Sequence, residues 1–122
     1  MAQKVELKWS SIILYTLSNV KKSAPLSAGV YRLSFEKDDK LTVFYVGQAD
    51  NLDKRLSEHL SDEEQNDCIR RKLKNYTCHF RFAKVASQGD RDCAERALYD
   101  HYDEPECNII TPPGEPCDIN FT

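Results

Sequence analysis

The chain has 122 residues, enough to bury one hydrophobic core and too few for two, so we predict a single domain over residues 1–122. Its 40% hydrophobic and 30% charged residues exclude collagen-like, low-complexity and wholly disordered proteins. Its net charge of −3 predicts a mean surface field that repels nucleic acids and anionic membranes.

The first part of the chain predicts a helix followed by a hairpin. Apolar side chains recur every three or four residues from Trp9 to Val20, which indicates a helix over 8–21 that Pro25 must stop. Residues 29–35 and 41–47 are rich in β-branched and aromatic side chains and are separated by a polar segment. They predict two antiparallel strands.

A second helix is predicted directly after this hairpin. Asp50 or Asn51 is a suitable N-cap, and leucines at 52, 56 and 60 form an apolar ridge. Arg55 and His59 are four residues apart, so they project from the same side of this helix.

The remaining residues predict two more helices, a third strand and a tail. The helices are expected over 62–73 and 89–102, the second containing Glu95, and the strand over 76–85. Four prolines after residue 103 exclude a long helix, and we expect an acidic tail over 112–122 that lies on the domain surface. The fold class is therefore α+β, with a small, mainly antiparallel three-stranded sheet flanked by helices.

The cysteines and the hydropathy pattern bear on the cellular setting. The five cysteines are widely spaced and form no CxxC pair, which predicts free thiols rather than a zinc site or a disulfide framework. No run of about 20 apolar residues is present, and the first residues lack the features of a signal peptide. We expect an intracellular protein of the cytoplasm or nucleus with no membrane partner.

Two tripeptides stand out in the predicted hairpin: Gly29-Val30-Tyr31 and Tyr45-Val46-Gly47. They resemble the signature pair of the GIY-YIG nuclease superfamily, each with valine in place of isoleucine. The resemblance extends through YVGQADNLDKRLSEHL, AERALYDHY with Glu95, and PECNIITPP with Asn108. It covers a core of about residues 24–112 and implies the fold of that superfamily.

The resemblance also implies hydrolysis of DNA phosphodiester bonds with one divalent ion, Mg²⁺ or Mn²⁺, and no organic cofactor. Glu95 would be the metal ligand, since hard cations prefer carboxylate oxygen. Arg55 would clamp the phosphate through its fork of N–H donors. Tyr31 would act as general base or orient the water, and Tyr45 would hydrogen-bond the water or the phosphate.

Tyr31 could act as a base only if its surroundings assist the loss of its proton, because a free tyrosine has a pKa of about 10 and is protonated at neutral pH. Cationic neighbours or a proton relay are required, and Arg55 and His59 are the candidates for both. Gly29 and Gly47 would let backbone and substrate approach closely. Asn108 would tie the C-terminal segment to the site.

The charge distribution leaves room for a DNA partner. Residues 1–89 carry a net +4 and residues 90–122 a net −7. Between Cys68 and Lys84 there is no acidic residue, and a cluster there would bind phosphates: Arg70, Arg71, Lys72 and Lys74. The alternative for this cluster is a solvated helix end.

One alternative to the enzyme stays open. A catalytically inactive module of the same fold would bind DNA or a protein partner, although such a module would be free to lose Arg55 or Glu95. A cysteine nucleophile is disfavoured because no base stands at a recognisable spacing. No second DNA-reading domain is visible, so specificity would come from a partner subunit, a homodimer or a special DNA shape.

Overall fold

The computed structural model describes residues 4–122; the first three residues of the predicted domain lie outside this part. Within it, the elements in chain order are β1 (Lys4–Val5), β2 (Ile13–Leu14), α1 (Leu17–Ser23), β3 (Gly29–Lys37), β4 (Lys40–Ala49), α2 (Leu52–His59), α3 (Asp67–Asn75), β5 (Cys78–Lys84), α4 (Gln88–His101) and β6 (Asp118–Ile119). The predicted α+β class is confirmed.

The main sheet is antiparallel as predicted, but it has four strands instead of the expected three, in the order β2-β5-β3-β4, because the short strand β2 pairs with β5. β3 and β4 form the predicted hairpin, and Asp38 and Asp39 make its two-residue turn with φ of 53° and 63°. This left-handed pair matches the twist of the strands, and aspartate tolerates it better than most residues. β3 lies in the middle of the sheet, which places Tyr31 between two paired strands.

Both faces of the sheet are covered. On one face, Val30 and Val46 pack in a cluster with Ala94 and Leu98 of α4. On the other, Tyr31 packs in a cluster that includes Leu52 and Leu56 of α2 and Ile69 of α3. Because side chains alternate along a strand, the two consecutive residues 30 and 31 serve opposite faces.

The four helices of residues 4–122 begin at N-caps that accept a backbone hydrogen bond: Thr16, Asn51, Asn66 and Ser87. None of them is long and apolar enough to cross a membrane.

The predicted helix over 8–21 is wrong for most of its length. Trp9 forms a β-bridge to Ala83, and β2 pairs with β5, so this segment covers what would be an open edge of the sheet. The helix is confined to Leu17–Ser23 because it is capped by Thr16. The apolar repeat did not mark one buried face, since Ile12 is half exposed.

The prediction of free cysteines is also wrong for four of the five. Disulfides join Cys68 to Cys107 and Cys93 to Cys117, and Cys78 is a buried thiol. The first links α3 to the loop after α4, and the second links α4 to the tail. The partners are 39 and 24 residues apart, so their proximity follows from packing that no local spacing pattern reveals.

Candidate active site

The two motif tyrosines lie side by side on one face of the β3–β4 hairpin. Their ring centroids are 6.2 Å apart, and Tyr31 is opposite Gly47 in the strand register. A Cβ on residue 47 would lie 2.6 Å from the Tyr31 hydroxyl oxygen, so only glycine leaves room for this ring. Tyr31 is consequently buried, with 1% of its surface exposed.

The two motif glycines make room for protein atoms, while the expected approach of substrate stays a prediction. A Cβ on Gly29 would overlap the carbonyl oxygen of Ala83 on β5 and crowd Leu52 of α2. Gly47 makes room for Tyr31. Both glycines are buried, and their missing side chains allow the hairpin to pack against its neighbours.

Helix α2 places His59 against both tyrosines. Leu52 and Leu56 are fully buried, which fixes the rotation of the helix and turns His59 inward. Its Nε2 is 2.7 Å from the Tyr31 hydroxyl, and its ring centroid is 5.3 Å from that of Tyr45.

A residue that the sequence analysis did not identify completes this arrangement. Glu64 Oε2 is 2.8 Å from His59 Nδ1, and the side chain of Glu64 is buried. The sequence pattern predicts a helix over 62–73 that would include Glu64, but the helix begins at Asp67 and Glu64 lies in the preceding loop. The signal that indicates this start is Asn66, a strong N-cap residue.

Burial dominates the protonation of these groups. It raises the pKa of Tyr31 well above 10, and the nearby Arg55 cation opposes this only in part. It also raises the pKa of Tyr45. Burial, followed by Arg55, lowers the pKa of His59 to about 4, against the opposing effect of Glu64. At neutral pH the site therefore holds two phenols and a neutral imidazole. The lowering effect of Arg55 on the Tyr31 pKa is outweighed by burial, which leaves a proton relay as the route by which Tyr31 could act as a base.

Arg55 is the cation beside the tyrosines. Its guanidinium is partly exposed, interacts with the Tyr45 hydroxyl and lies 3.9 Å from Glu58 Oε1. A guanidinium in this position stays charged at all ordinary pH values and can face an anion from solvent.

Glu95 reaches the same region from α4. It lines a cavity of about 310 Å³ that Tyr45 and Asn108 also line. Its Oε1 accepts a hydrogen bond of 3.0 Å from Gln48 Nε2. Burial raises the pKa of Glu95, and the Asp92 carboxylate adds to this rise while Gln48 opposes it.

The surroundings of Glu95 suit a loosely held hard cation. Two carboxylates, Glu95 and Asp92, accept from the same amide nitrogen of Gln48, which places a second negative charge beside Glu95. In the part of the chain described, no three His, Cys, Asp or Glu side chains are grouped as an all-protein metal site requires. The donor set fits a cation that takes one protein carboxylate and completes its shell with substrate and water oxygens.

Asn108 fastens the C-terminal segment to the edge of the sheet. Its Oδ1 accepts from the Val46 N–H, and its Nδ2 donates to the Val46 carbonyl, both at 2.9 Å. The neighbouring Cys107 N–H donates to the carbonyl of Phe44 at 2.8 Å. Asn108 thereby holds the rim of the cavity, and its amide is bonded to the backbone rather than to the cavity.

The basic cluster of α3 divides into two groups. Arg70, Arg71 and Lys74 line a cleft of about 620 Å³ together with His59 and two carboxylates, Asp62 and Asp67. Arg70 lies 3.6 Å from Asp67 Oδ1. Lys72 is not among the residues of this cleft: its Nζ is 2.9 Å from Glu106 Oε1 and 4.3 Å from the centre of the Phe35 ring. These two contacts satisfy its charge within the fold.

Comparison with known proteins places this arrangement in a family. A sequence model described as the GIY-YIG catalytic domain matches residues 27–103, more than half of the chain. The chain belongs to the GIY-YIG family. The matched range contains Tyr31, Tyr45, Arg55, His59 and Glu95, whereas Asn108 lies beyond its end. Among curated proteins, no sequence matches this chain.

Solved structures share the GIY-YIG fold. The N-terminal GIY-YIG endonuclease domain of UvrC from Thermotoga maritima, bound to magnesium as its catalytic divalent cation, has a TM-score of 0.56 and 22% identity. The match covers 75% of this chain and 97% of that one. An asparagine-to-alanine variant of the same domain, also with its divalent cation, has a TM-score of 0.54 and 21% identity over the same shares. At this identity the likeness shows the fold.

Proposed function

We propose that this protein is a divalent-metal-dependent DNA endonuclease that hydrolyses phosphodiester bonds. The observation that carries the proposal is the hydrogen bond between the buried Tyr31 hydroxyl and His59, beside Tyr45, Arg55 and the Glu95 carboxylate. A proton acceptor, a fixed cation and a metal-binding carboxylate are the three groups that phosphodiester hydrolysis needs. Family membership supports the same activity.

Glu95 is the residue that would hold the cation, Mg²⁺ or Mn²⁺. When bound, such an ion withdraws charge from the phosphate and assists departure of the leaving oxygen. The raised pKa of Glu95 and the adjacent Asp92 support this assignment, because a cation relieves the concentration of negative charge there. The magnesium-bound UvrC domain, which has the same fold, gives further support.

The residues of the chain would divide the remaining work. Arg55 holds the phosphate and offsets the negative charge that develops as water attacks. Tyr31 accepts a proton from the attacking water while it passes its own proton to His59 Nε2. This concerted transfer is the one open to Tyr31, because burial raises its pKa and excludes a resting phenolate. Tyr45, next to Arg55, hydrogen-bonds the water or the phosphate.

DNA would approach along the cleft of α3. Arg70, Arg71 and Lys74 line this cleft together with His59, so a strand bound there passes close to the Tyr31–His59 pair. These cations oppose the overall charge of −3 locally. We infer that intrinsic affinity is modest, with a partner subunit, a homodimer or DNA shape supplying specificity.

The direct test is cleavage of supercoiled plasmid and of branched or flapped DNA, with Mg²⁺ or Mn²⁺ and with a chelator. Glu95→Gln is compared with Asp100→Asn, an exposed carboxylate of the same helix. We expect cleavage by the wild type and by Asp100→Asn in metal, and none in chelator or by Glu95→Gln. Cleavage that persists in chelator or in Glu95→Gln contradicts the proposal.

The second candidate, an inactive module that binds DNA or protein, is an outcome of the same experiment. The cations of the α3 cleft outnumber its two carboxylates, which favours DNA as its ligand. A wild type that retards DNA in a gel and cuts none of the substrates in either metal establishes that function instead.

A further inference from the structure

The site contains a buried carboxylate to which neither the sequence pattern nor the family resemblance gives a role. Glu64 is 8% exposed and lies in the loop between α2 and α3. Its two oxygens have separate partners: Oε2 meets His59 Nδ1 at 2.8 Å, and Oε1 accepts from the Asn66 N–H at 2.9 Å. Burying a charged carboxylate costs desolvation free energy, and hydrogen-bond partners of this kind offset that cost.

The chemistry of these partners fixes the position of a proton. A carboxylate only accepts hydrogen bonds, so His59 Nδ1 must carry the hydrogen that it shares with Glu64. A neutral imidazole has one N–H, and Nε2 is then an acceptor. The Tyr31 hydroxyl, 2.7 Å from Nε2, therefore donates to His59, and this is the direction that proton transfer from Tyr31 requires.

We propose that Glu64 is a positioning residue that holds His59 in the Nδ1–H tautomer, so that Nε2 can receive the proton of Tyr31. This inference rests on the proposed function for its catalytic consequence, though not for the tautomer itself. The bond that forms joins the water oxygen to phosphorus, and the bond that breaks joins phosphorus to the leaving oxygen. The water proton goes to Tyr31, the Tyr31 proton goes to His59, and the leaving oxygen takes a proton from solvent. After product release, His59 returns its proton to Tyr31, which gives one up to solvent.

The surroundings of Glu64 keep it from turning away. Asn66 caps α3 by accepting from the Ile69 N–H, and its Nδ2 donates to the carbonyl of Cys107. Cys107 is in turn bonded to Cys68 of α3. The helix and the disulfide thus fix the position of the Asn66 N–H. This N–H donates to Glu64 Oε1, so the atom at that position must be a hydrogen-bond acceptor.

Because of this geometry, Glu64→Gln is expected to reverse the tautomer of His59. The Asn66 N–H selects the amide oxygen of the glutamine, which turns the amide NH₂ towards His59 Nδ1. His59 must then accept at Nδ1 and carry its hydrogen on Nε2, so the hydrogen bond to Tyr31 reverses and Tyr31 has no acceptor for its proton. The matched control is Glu63→Gln, an exposed carboxylate of the same loop.

The first experiment uses nitrogen-15 NMR of the histidine rings in the full chain without DNA, with the His59 signals assigned through His59→Gln. We expect Nδ1–H in the wild type and in Glu63→Gln, and Nε2–H in Glu64→Gln. Nε2–H in the wild type overturns the proposal whether or not the protein cuts DNA. Because this readout uses the wild-type protein, it stands even if Glu64→Gln does not fold.

The second experiment measures single-turnover cleavage and DNA affinity. We expect Glu64→Gln to lose about 100-fold in rate, the scale of a lost general-base step, with its affinity for DNA unchanged. A wild-type rate in a variant whose tautomer has reversed overturns the positioning role. Absence of cleavage by the wild-type protein refutes the proposed function and the catalytic consequence together, and leaves the tautomer to be decided by NMR.

Discussion

The ring of Tyr31 lies against the backbone of Gly47, its partner on the neighbouring strand. The hydroxyl oxygen is so close that a Cβ at residue 47 would come within 2.6 Å of it. Gly47 of the second tripeptide thus leaves the space that the Tyr31 ring of the first tripeptide fills. The Tyr31 hydroxyl is directed at His59.

Gly47→Ala tests this relationship. The added methyl group must displace Tyr31, so we expect a loss of about 1–3 kcal/mol in the free energy of unfolding and a fall of about 100-fold in cleavage rate. Gly89→Ala is the control, because a Cβ there would meet only Ser87 Oγ, at an ordinary van der Waals distance of 3.8 Å. Denaturant unfolding and single-turnover cleavage check both variants, and an unaltered cleavage rate in Gly47→Ala would show that the position of Tyr31 is immaterial.

Asn108 should act on stability through the edge strand β4. Asn108→Ala leaves the N–H and carbonyl of Val46 without their partners, which predicts a loss of about 1–3 kcal/mol. The measurement is the urea concentration at the midpoint of unfolding, compared between proteins whose unfolding free energy has the same dependence on urea. The control is Asn75→Ala, at the exposed end of α3. Equal midpoints for the two variants would mean that the paired bonds add nothing.

The low pKa of His59 predicts a pH dependence of stability. His59 stays neutral in the folded protein down to about pH 4, whereas in the unfolded chain it takes up a proton near pH 6.5. The unfolded state therefore binds more protons between these values, and the free energy of unfolding falls as the pH is lowered from about 6.5 to 4. Arg55, Glu58 and Glu64 are the charged groups that act on His59 in the fold.

Replacing His59 should remove this part of the pH dependence. We expect the free energy of unfolding of His59→Gln to fall less steeply than that of the wild type over the same interval. Denaturant titrations at four or five pH values provide the comparison. A difference between the two proteins that does not change with pH would contradict the buried neutral imidazole.

The division of the basic cluster predicts different effects of salt on DNA binding. Replacing Arg70, Arg71 and Lys74 together by glutamine should reduce the slope of log affinity against log salt by up to about 3, one counterion per lost phosphate contact. Lys72→Gln should leave the slope unchanged, because Lys72 pairs with Glu106 and covers Phe35. Loss of slope in Lys72→Gln alone would reverse these assignments.

Local patterns were sufficient to predict the parts of the site that depend on a single element. The spacing of Arg55 and His59 placed them together because a helix brings residues four apart onto one side. The hairpin followed from two β-rich segments, whereas the register that sets Tyr31 opposite Gly47 is known only from the structure. The family resemblance then linked these residues to Glu95, and the matched family confirms that resemblance.

Features that depend on distant contacts escaped prediction. The segment containing Trp9 has helical periodicity, but β5 offers an open edge that only the assembled sheet creates. The role of Glu64 depends on where α3 begins, and that of Lys72 on Glu106, 34 positions later in the chain. The cysteines show the same limit, since Cys107 meets Cys68 only after α3 and the following loops have packed.

The most direct test of the account compares single-turnover cleavage by the wild type, Tyr31→Phe and Glu95→Gln at saturating DNA in Mg²⁺. Tyr31→Phe keeps the ring in place and removes only the hydroxyl that donates to His59, so its DNA affinity should be unchanged while its rate falls at least 100-fold. Glu95→Gln should lose cleavage altogether. A wild-type rate in either variant would contradict the claim that Tyr31 and Glu95 carry the reaction.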